Sequence, residues 1–449
     1  MTRPMPDGLE LDDIQHFLVA RTPALAARYE FLHFDSAAAG KTWLTGLIDK
    51  VGTATSVGTD SPDARWVTIA FTWNGLRAIG VDDASLATFP DEFRQGMAAR
   101  AVMLGIAGKA HPDTWDGGLA SPELHAIVIL FARDVPERER AERAHAQYLS
   151  DIGGIQRLSF LDLEALPPYR EPREHFGYLD RLTHPTIEGG EAPTPGSVTA
   201  VKAGEFFLGY PDATGGTPPM PQPETLARNG SYLAYVRIQE HVGVFRDFLR
   251  ANGGETREGQ ELIAAKMMGR WRSGAPLVLA PEVDDPALGS DLQRTNDFNY
   301  AKMDPHGYGC PVSAHIRRMN PRDTVDNVER HQLVRRGGTY GPFLPEDAPD
   351  DGVDRGIAAF MGCASLVRQF EFAMNVWAND PSFNGLENQR DPIAGTQDGT
   401  FDFTIPKRPV RQRLTGLPAF TTIRGGAYFF LPGIRAMRFL ASTAAAAAA

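Results

Sequence analysis

His315 stands in the stretch GCPVSAHIRRMNPRD, Gly309 to Asp323, and is followed by Arg317, Arg318 and Arg322, then by Arg335 and Arg336. A neutral imidazole can ligate a metal through one ring nitrogen. Guanidinium groups stay charged at any ordinary pH and take carboxylates in a two-pronged way. One histidine ringed by arginines therefore suits haem, whose iron needs a nitrogen and whose two propionates need cations. Residue types alone also allow a basic segment around a core histidine, because a single His is weak evidence for a site. His306 in DPHG and His331 in ERHQ are the competing ligands, and His306 reads as a turn residue.

The wording of the stretch sharpens this. CPVSAHIRRMNPRD followed by LVRRGGTYGP (Leu333 to Pro342) resembles the dye-decolorising peroxidases. Further phrases are similar to that family: DIQ at Asp13, FTWNGLRAIGV from Phe71, TFPDEFRQGMAARAVMLG from Thr88 and GEFFLGYPD from Gly204. The resemblance covers nearly the whole chain. It implies haem b, with His315 as the proximal iron ligand and Arg335 as the distal arginine. It also implies a distal acid-base aspartate in a Gly-x-x-Asp-Gly signature, here Gly177-Tyr178-Leu179-Asp180-Arg181. A carboxylate can take a proton from one peroxide oxygen and return it to the other.

Arg181 replaces the last glycine of that signature. A cation beside Asp180 lowers its pKa, or the side chain crowds a turn where glycine was free to take φ > 0. Gly395-Thr396-Gln397-Asp398-Gly399 matches the signature by letter, but it follows RDPI and precedes FTIP, so Asp398 reads as a turn residue. Arg322, with Arg317 as second choice, is the expected propionate partner. Arg336 adjoins Arg335 on an expected strand, so only one of the two should face the haem. In IAAFMGCAS, Ile357 to Ser365, small Ala358 and Ala359 stand where relatives carry bulky residues. Either Phe360 or Met361 then covers the distal haem face, or the pocket is roomier.

Composition bounds the rest. A chain of 449 residues suits two domains. The net charge of −11 argues against a nucleic-acid partner. Two cysteines, Cys310 and Cys363, make no zinc or disulfide framework. The stretch MTRPMPDGLELDDIQ has no apolar signal core or twin arginine, and no run is long enough to span a membrane, so a cytoplasmic location is expected.

These residues must be positioned by regular elements. Strands are expected at Tyr29–Phe34, Trp66–Phe71, His125–Ala132 and Ile155–Leu163. Helices are expected after Asp35 or Ser36, from Thr88 to Leu104 and from Pro136. That order is ferredoxin-like. His111, in a loop, is expected to face solvent. Residues 191–230, rich in Gly, Pro and Thr, read as linker and loops. Beyond them the pattern repeats: strands at Ser231–Ile238, His331–Arg336, Ile357–Cys363 and Ala427–Leu431, and helices at Glu240–Arg250, Glu258–Trp271 and Leu366–Ala378. Ala444–Ala449 extends the last helix or is a tail. The expected fold class is α+β: two ferredoxin-like domains, each an antiparallel sheet flanked by helices, in the manner of the dimeric α+β barrels. Residues 1–190 form the first, with the Asp180 segment, and 231–449 the haem-binding second.

The resemblance implies a haem peroxidase that uses hydrogen peroxide to oxidise dyes, phenolics or other bulky reductants through a ferryl intermediate. Bulky dyes would exchange electrons through surface Tyr or Trp. Arg181 and the Ala358-Ala359 pair motivate an alternative, a haem-binding protein with impaired or altered peroxidase activity; a haem-free scaffold is the third reading. The expected partners are peroxide and an organic reductant, with a homodimer as the candidate assembly.

Overall fold

The structure, a computed structural model, describes residues 8–19, 24–55, 67–167, 169, 172–180, 182–190 and 200–442. Arg181 and the terminal alanine run lie outside the described residues. The first half is built on β1 (Ala26–Phe34), β2 (Val67–Phe71), β3 (Ala126–Ala132) and β4 (Ile155–Glu164). Ser36 caps the helix Ala37–Leu47 by accepting the Ala39 N–H, and Asp134 caps Val135–Ile152 by accepting that of Glu137. The second half is built on β5 (Ser231–Glu240), β6 (Val334–Tyr340), β7 (Gly356–Cys363), a small β8–β9 pair (Phe403–Ile405, Gln412–Leu414) and β10 (Thr421–Leu431).

Among the described residues the main sheet runs β4-β1-β3-β2-β10-β5-β7-β6, with every pairing antiparallel. The first half supplies β4-β1-β3-β2 and the second β10-β5-β7-β6. Counted within its own half, each reads fourth, first, third, second, which is the ferredoxin-like order twice over. The halves join where Phe71 on β2 faces Phe430 on β10. The outer strands also approach each other: a Cβ on Gly338 of β6 would meet the Leu163 side chain of β4 at 3.2 Å.

Strand alternation sorts the core into two layers. Tyr29, Ile129, Tyr235, Phe360 and Phe429 fill one face of the sheet. Leu32, Phe34, Trp43, Leu130 and Phe430 pack the other face against the helices.

Some elements differ from expectation. The helix opened by Pro90 ends at Ala99 and is interrupted at Gly96, whose φ of 77° only glycine adopts easily. β6 starts at Val334, because Asn327, at φ 56°, opens a tight turn that holds Val328–His331. The helix expected at Leu366–Ala378 is wound as π-helix over Val367–Glu371 and Ala373–Asn379, with Glu371 N–H reaching back to Leu366 C=O. Apolar spacing alone does not separate this wider winding from an α-helix.

Candidate functional site

His315 opens the short helix His315–Met319. The turn before it is held firmly. Lys266 donates to the carbonyls of Pro281, Tyr308 and Gly309, and the Asp304 carboxylate accepts the N–H groups of Gly309 and Cys310. His315 Nδ1 lies 3.1 and 3.0 Å from the two Asp391 oxygens. Asp391 is fully buried and also accepts the N–H groups of Ile393 and Ala394. Burial works against its charge, but His315, the Ala394 N–H and Arg318 together hold its pKa below the ordinary carboxylate value. An ionised acceptor assigns the proton to Nδ1 and leaves a lone pair on Nε2. Nε2 makes no hydrogen bond to any described residue, and the side chain is 24% exposed. Met319, on the same helix, belongs with half-buried Leu333, Phe372 and Val376 to one apolar cluster.

The second group of residues surrounds a cavity of about 240 Å³ between β1 and β4 on one side and β6 and β7 on the other. Asp180 and Arg335 both line it. Asp180 sits on a narrow ribbon in which Arg173 faces Leu179, and its N–H donates to Pro172 C=O. Arg335 Nη2 donates to Thr183 C=O at 2.9 Å, and the rest of its guanidinium is open to the cavity. The Arg335 guanidinium is exposed to the cavity and remains a cation.

Arg336 touches the same cavity but is committed elsewhere. It donates to the carbonyls of Phe17 and Leu18 and approaches His184 Nδ1 at 3.3 Å.

One hydrogen-bond chain joins this cavity to the His315 segment. Arg335 holds Thr183, whose hydroxyl bonds Asn296; Arg270 bonds Asn296 and Thr295; Asn296 C=O accepts from Arg322. Arg322, at φ 52°, lies 3.8 Å over the Phe298 ring with its Nε buried and unpartnered among the described residues. Arg317, the second choice for a propionate, is turned inward: it is 2% exposed and donates to Asp304 C=O and Cys310 C=O.

Phe360, expected to cover the haem face, is corrected. It is fully buried on the other face of β7, against Phe17, Tyr29 and Tyr235. Strand alternation gives the Arg335 face to its neighbours Ala359 and Met361, with Met361 directly opposite Arg335.

Asp398 is exposed and accepts from Thr400 in a turn. His331 Nδ1 donates to Arg368 C=O, and the ring stacks on Phe372 at 3.9 Å. Asp391, the partner of His315, is not revealed by local residue order. It lies in the RDPI phrase, and the usable signal is chemical: a ligating His gives its second N–H to a carboxylate or a carbonyl.

No family model matches the chain. A dye-decolorizing peroxidase of Mycena epipterygia is 31% identical over 98% of this chain and 88% of that protein. The chain belongs to the dye-decolorising peroxidase family. A second member, from Exidia glandulosa, is 31% identical over 96% of this chain and 87% of its own length. Among solved members, the enzyme of Auricularia auricula-judae is 28% identical, with a TM-score of 0.85 over 97% of this chain and 100% of that one. Another, in complex with 2,6-dimethoxyphenol, gives a TM-score of 0.84 at 28% identity, covering 97% and 100%.

Dye-decolorising peroxidases are haem b enzymes, and the donor set here fits that group. His315 Nε2 is a free nitrogen donor, an apolar cluster adjoins its helix at Met319, and Arg322 Nε is a buried donor without a partner among the described residues.

Proposed function

We propose that this member of the family reduces hydrogen peroxide at the expense of phenolic or dye-like reductants, with His315, Asp180 and Arg335 as its working residues. Haem b, held by His315 and by Arg322 toward a propionate, supplies the redox centre. Asp391 fixes the tautomer and orientation of His315 and makes its Nε2 more basic. Asp180, its carboxylate in the cavity, takes the proton from one peroxide oxygen and returns it to the other as the O–O bond breaks. Arg335 is held by Thr183 beside Asp180. Its fixed charge stabilises the negative charge that develops on the leaving oxygen.

The observation that carries this reading is the pairing of Asp180 and Arg335 on one cavity that is hydrogen-bonded through to Arg322. The reductant class is taken from relatives named for dyes and from the similar structure that binds 2,6-dimethoxyphenol. The test is stopped-flow mixing of the haem-loaded protein with peroxide, followed by steady-state oxidation of 2,6-dimethoxyphenol and of an anthraquinone dye. An Asp180→Asn protein that keeps its Soret band and loses both activities supports the assignment. Undiminished activity removes it.

A further inference from the structure

The ribbon that carries Asp180 also separates two cavities. Glu174 lines the first, with Asp180 and Arg335. Its neighbours His175 and Phe176 line a second cavity, of about 290 Å³, bounded by the helices Val242–Gly253 and Arg257–Met268. Behind Glu174 lies Glu240, the last residue of β5, which is 5% exposed.

The contacts of this pair are specific. The Glu174 oxygens accept the N–H groups of Tyr178 at 2.6 Å and Phe176 at 2.8 Å. Glu240 Oε2 accepts the His175 N–H at 3.2 Å. The two carboxyl groups lie against each other. With Glu240 buried against Glu174, the two carboxyls do not both ionise, so one proton stays between them.

The surrounding groups assign that proton. Arg272 acts on Glu174 and is itself bonded to Glu261 at 2.6 Å. Arg173 donates to the carbonyls of Gly177 and Arg272, and Arg355 to Pro342 C=O and Asp351. No described cation hydrogen bonds to Glu240. Burial, then the charge of Glu174, and further the charge of Asp180 push the Glu240 pKa well above the ordinary value. His175 adds no charge, because burial lowers its pKa to about 4. Tyr178 is buried and keeps its proton. Glu240 is therefore the protonated member and donates to the Glu174 carboxylate.

We propose that Glu240 and Glu174 form a proton store that supplies Asp180, set in the wall between the distal cavity and the second cavity. This rests on the role of Asp180 given above. In one turnover, H2O2 and two phenols ArOH give two waters and two ArO• radicals. The O–O bond breaks, and each phenol loses one electron and one proton. A bulky phenol releases its proton outside, so an equal number must be taken up at the distal cavity. Asp180 has one proton site and recycles only the proton of the peroxide itself. Glu240 passes its proton to Glu174, Glu174 passes one on to Asp180 across the cavity they share, and Glu240 is reprotonated from the side of His175, which lines the second cavity. The two glutamates act through Asp180 and are positioning residues.

Glu240→Gln tests this. The amide keeps the shape and still donates to Glu174, but it has no acidic proton to release. Infrared spectroscopy at neutral pH should show a protonated carboxyl band that shifts in D2O in the wild-type minus Glu240→Gln difference spectrum. With 2,6-dimethoxyphenol in excess, kcat should fall about tenfold or more, with the loss growing toward alkaline pH. The peroxide step should slow much less.

A difference spectrum without a carboxyl band, or a kcat–pH profile that overlays the wild type, overturns the proposal. If Glu240→Gln does not fold, Glu174→Gln is read by the same two measurements. Asp180→Asn separates the layers. If its peroxide step runs at the wild-type rate, the Asp180 reading fails. If that step slows while Glu240→Gln behaves as wild type, only the proton store fails.

Discussion

The two sides of the site are built in opposite ways. Around His315 the cations are committed to the protein's own carbonyls: Arg318 to Trp377, Gln389 and Asp380, Arg317 to Asp304 and Cys310, Lys266 to three more. Across the cavity Arg335 makes one hydrogen bond, to Thr183, and the Asp180 carboxylate accepts none from the described residues. A side that must keep one ring nitrogen in place is over-determined. A side that must exchange protons with a small molecule keeps its polar atoms open. Changes on the first side should therefore cost haem occupancy, and changes on the second should cost rate.

The sharpest way to break this contrast is at its two poles. His315→Ala should lose haem or hold it loosely, as read by haem content after gel filtration. Full occupancy with a wild-type ferric spectrum would move the ligand elsewhere. Arg335→Leu should keep its Soret band and react with peroxide on the order of 100-fold more slowly. Arg336→Leu should instead lower thermal stability, since its guanidinium ties β6 to the carbonyls of Phe17 and Leu18. A slow Arg336→Leu beside an unchanged Arg335→Leu would reverse the assignment of the pair.

The contrast also explains what the sequence could and could not tell. His315, Asp180 and Arg335 each sit in a short contiguous phrase, so local residue order reveals them. Asp391 is 76 residues from His315 and meets it only through folding. Phe360 was a matter of parity: a strand alternates faces, and only the pairing of Arg335 with Met361 shows which parity faces the cavity. Arg317 and Arg322 are alike in sequence. The turn at Arg322, with its positive φ, and the burial of Arg317 beside Asp304 set them apart. The repeated strand order was legible because both halves alternate apolar residues; the π-winding near Glu371 was not, because its hydrogen bonds leave no mark in the spacing.

Smaller effects sharpen the picture. Asp391→Asn should weaken haem retention or activity by about 10- to 100-fold, through loss of the charged partner that orients His315. A haem-release rate equal to wild type would show that the dyad does not matter. Arg322→Ala should release haem faster at raised salt. Arg317→Ala should affect stability instead, because its donors serve the turn at Cys310. Equal haem retention in Arg322→Ala and wild type would remove the propionate pairing.

The smallest effect concerns pH and stability. Glu240 has a folded-state pKa above its unfolded value. Its contribution is fully present below the unfolded pKa and is lost as pH rises through the folded one. Urea unfolding across pH should therefore show Glu240→Gln gaining on wild type as pH rises above the ordinary carboxylate range. Parallel curves would mean that Glu240 is ionised in the folded protein.

The most direct test of the open distal side is the rate at which peroxide changes the Soret band of Asp180→Asn. An amide of the same shape should leave haem content and band position as in wild type and slow the reaction by about 100- to 10,000-fold. A wild-type rate with intact haem, or a loss of haem in place of a loss of rate, would contradict the division between a side that holds and a side that reacts.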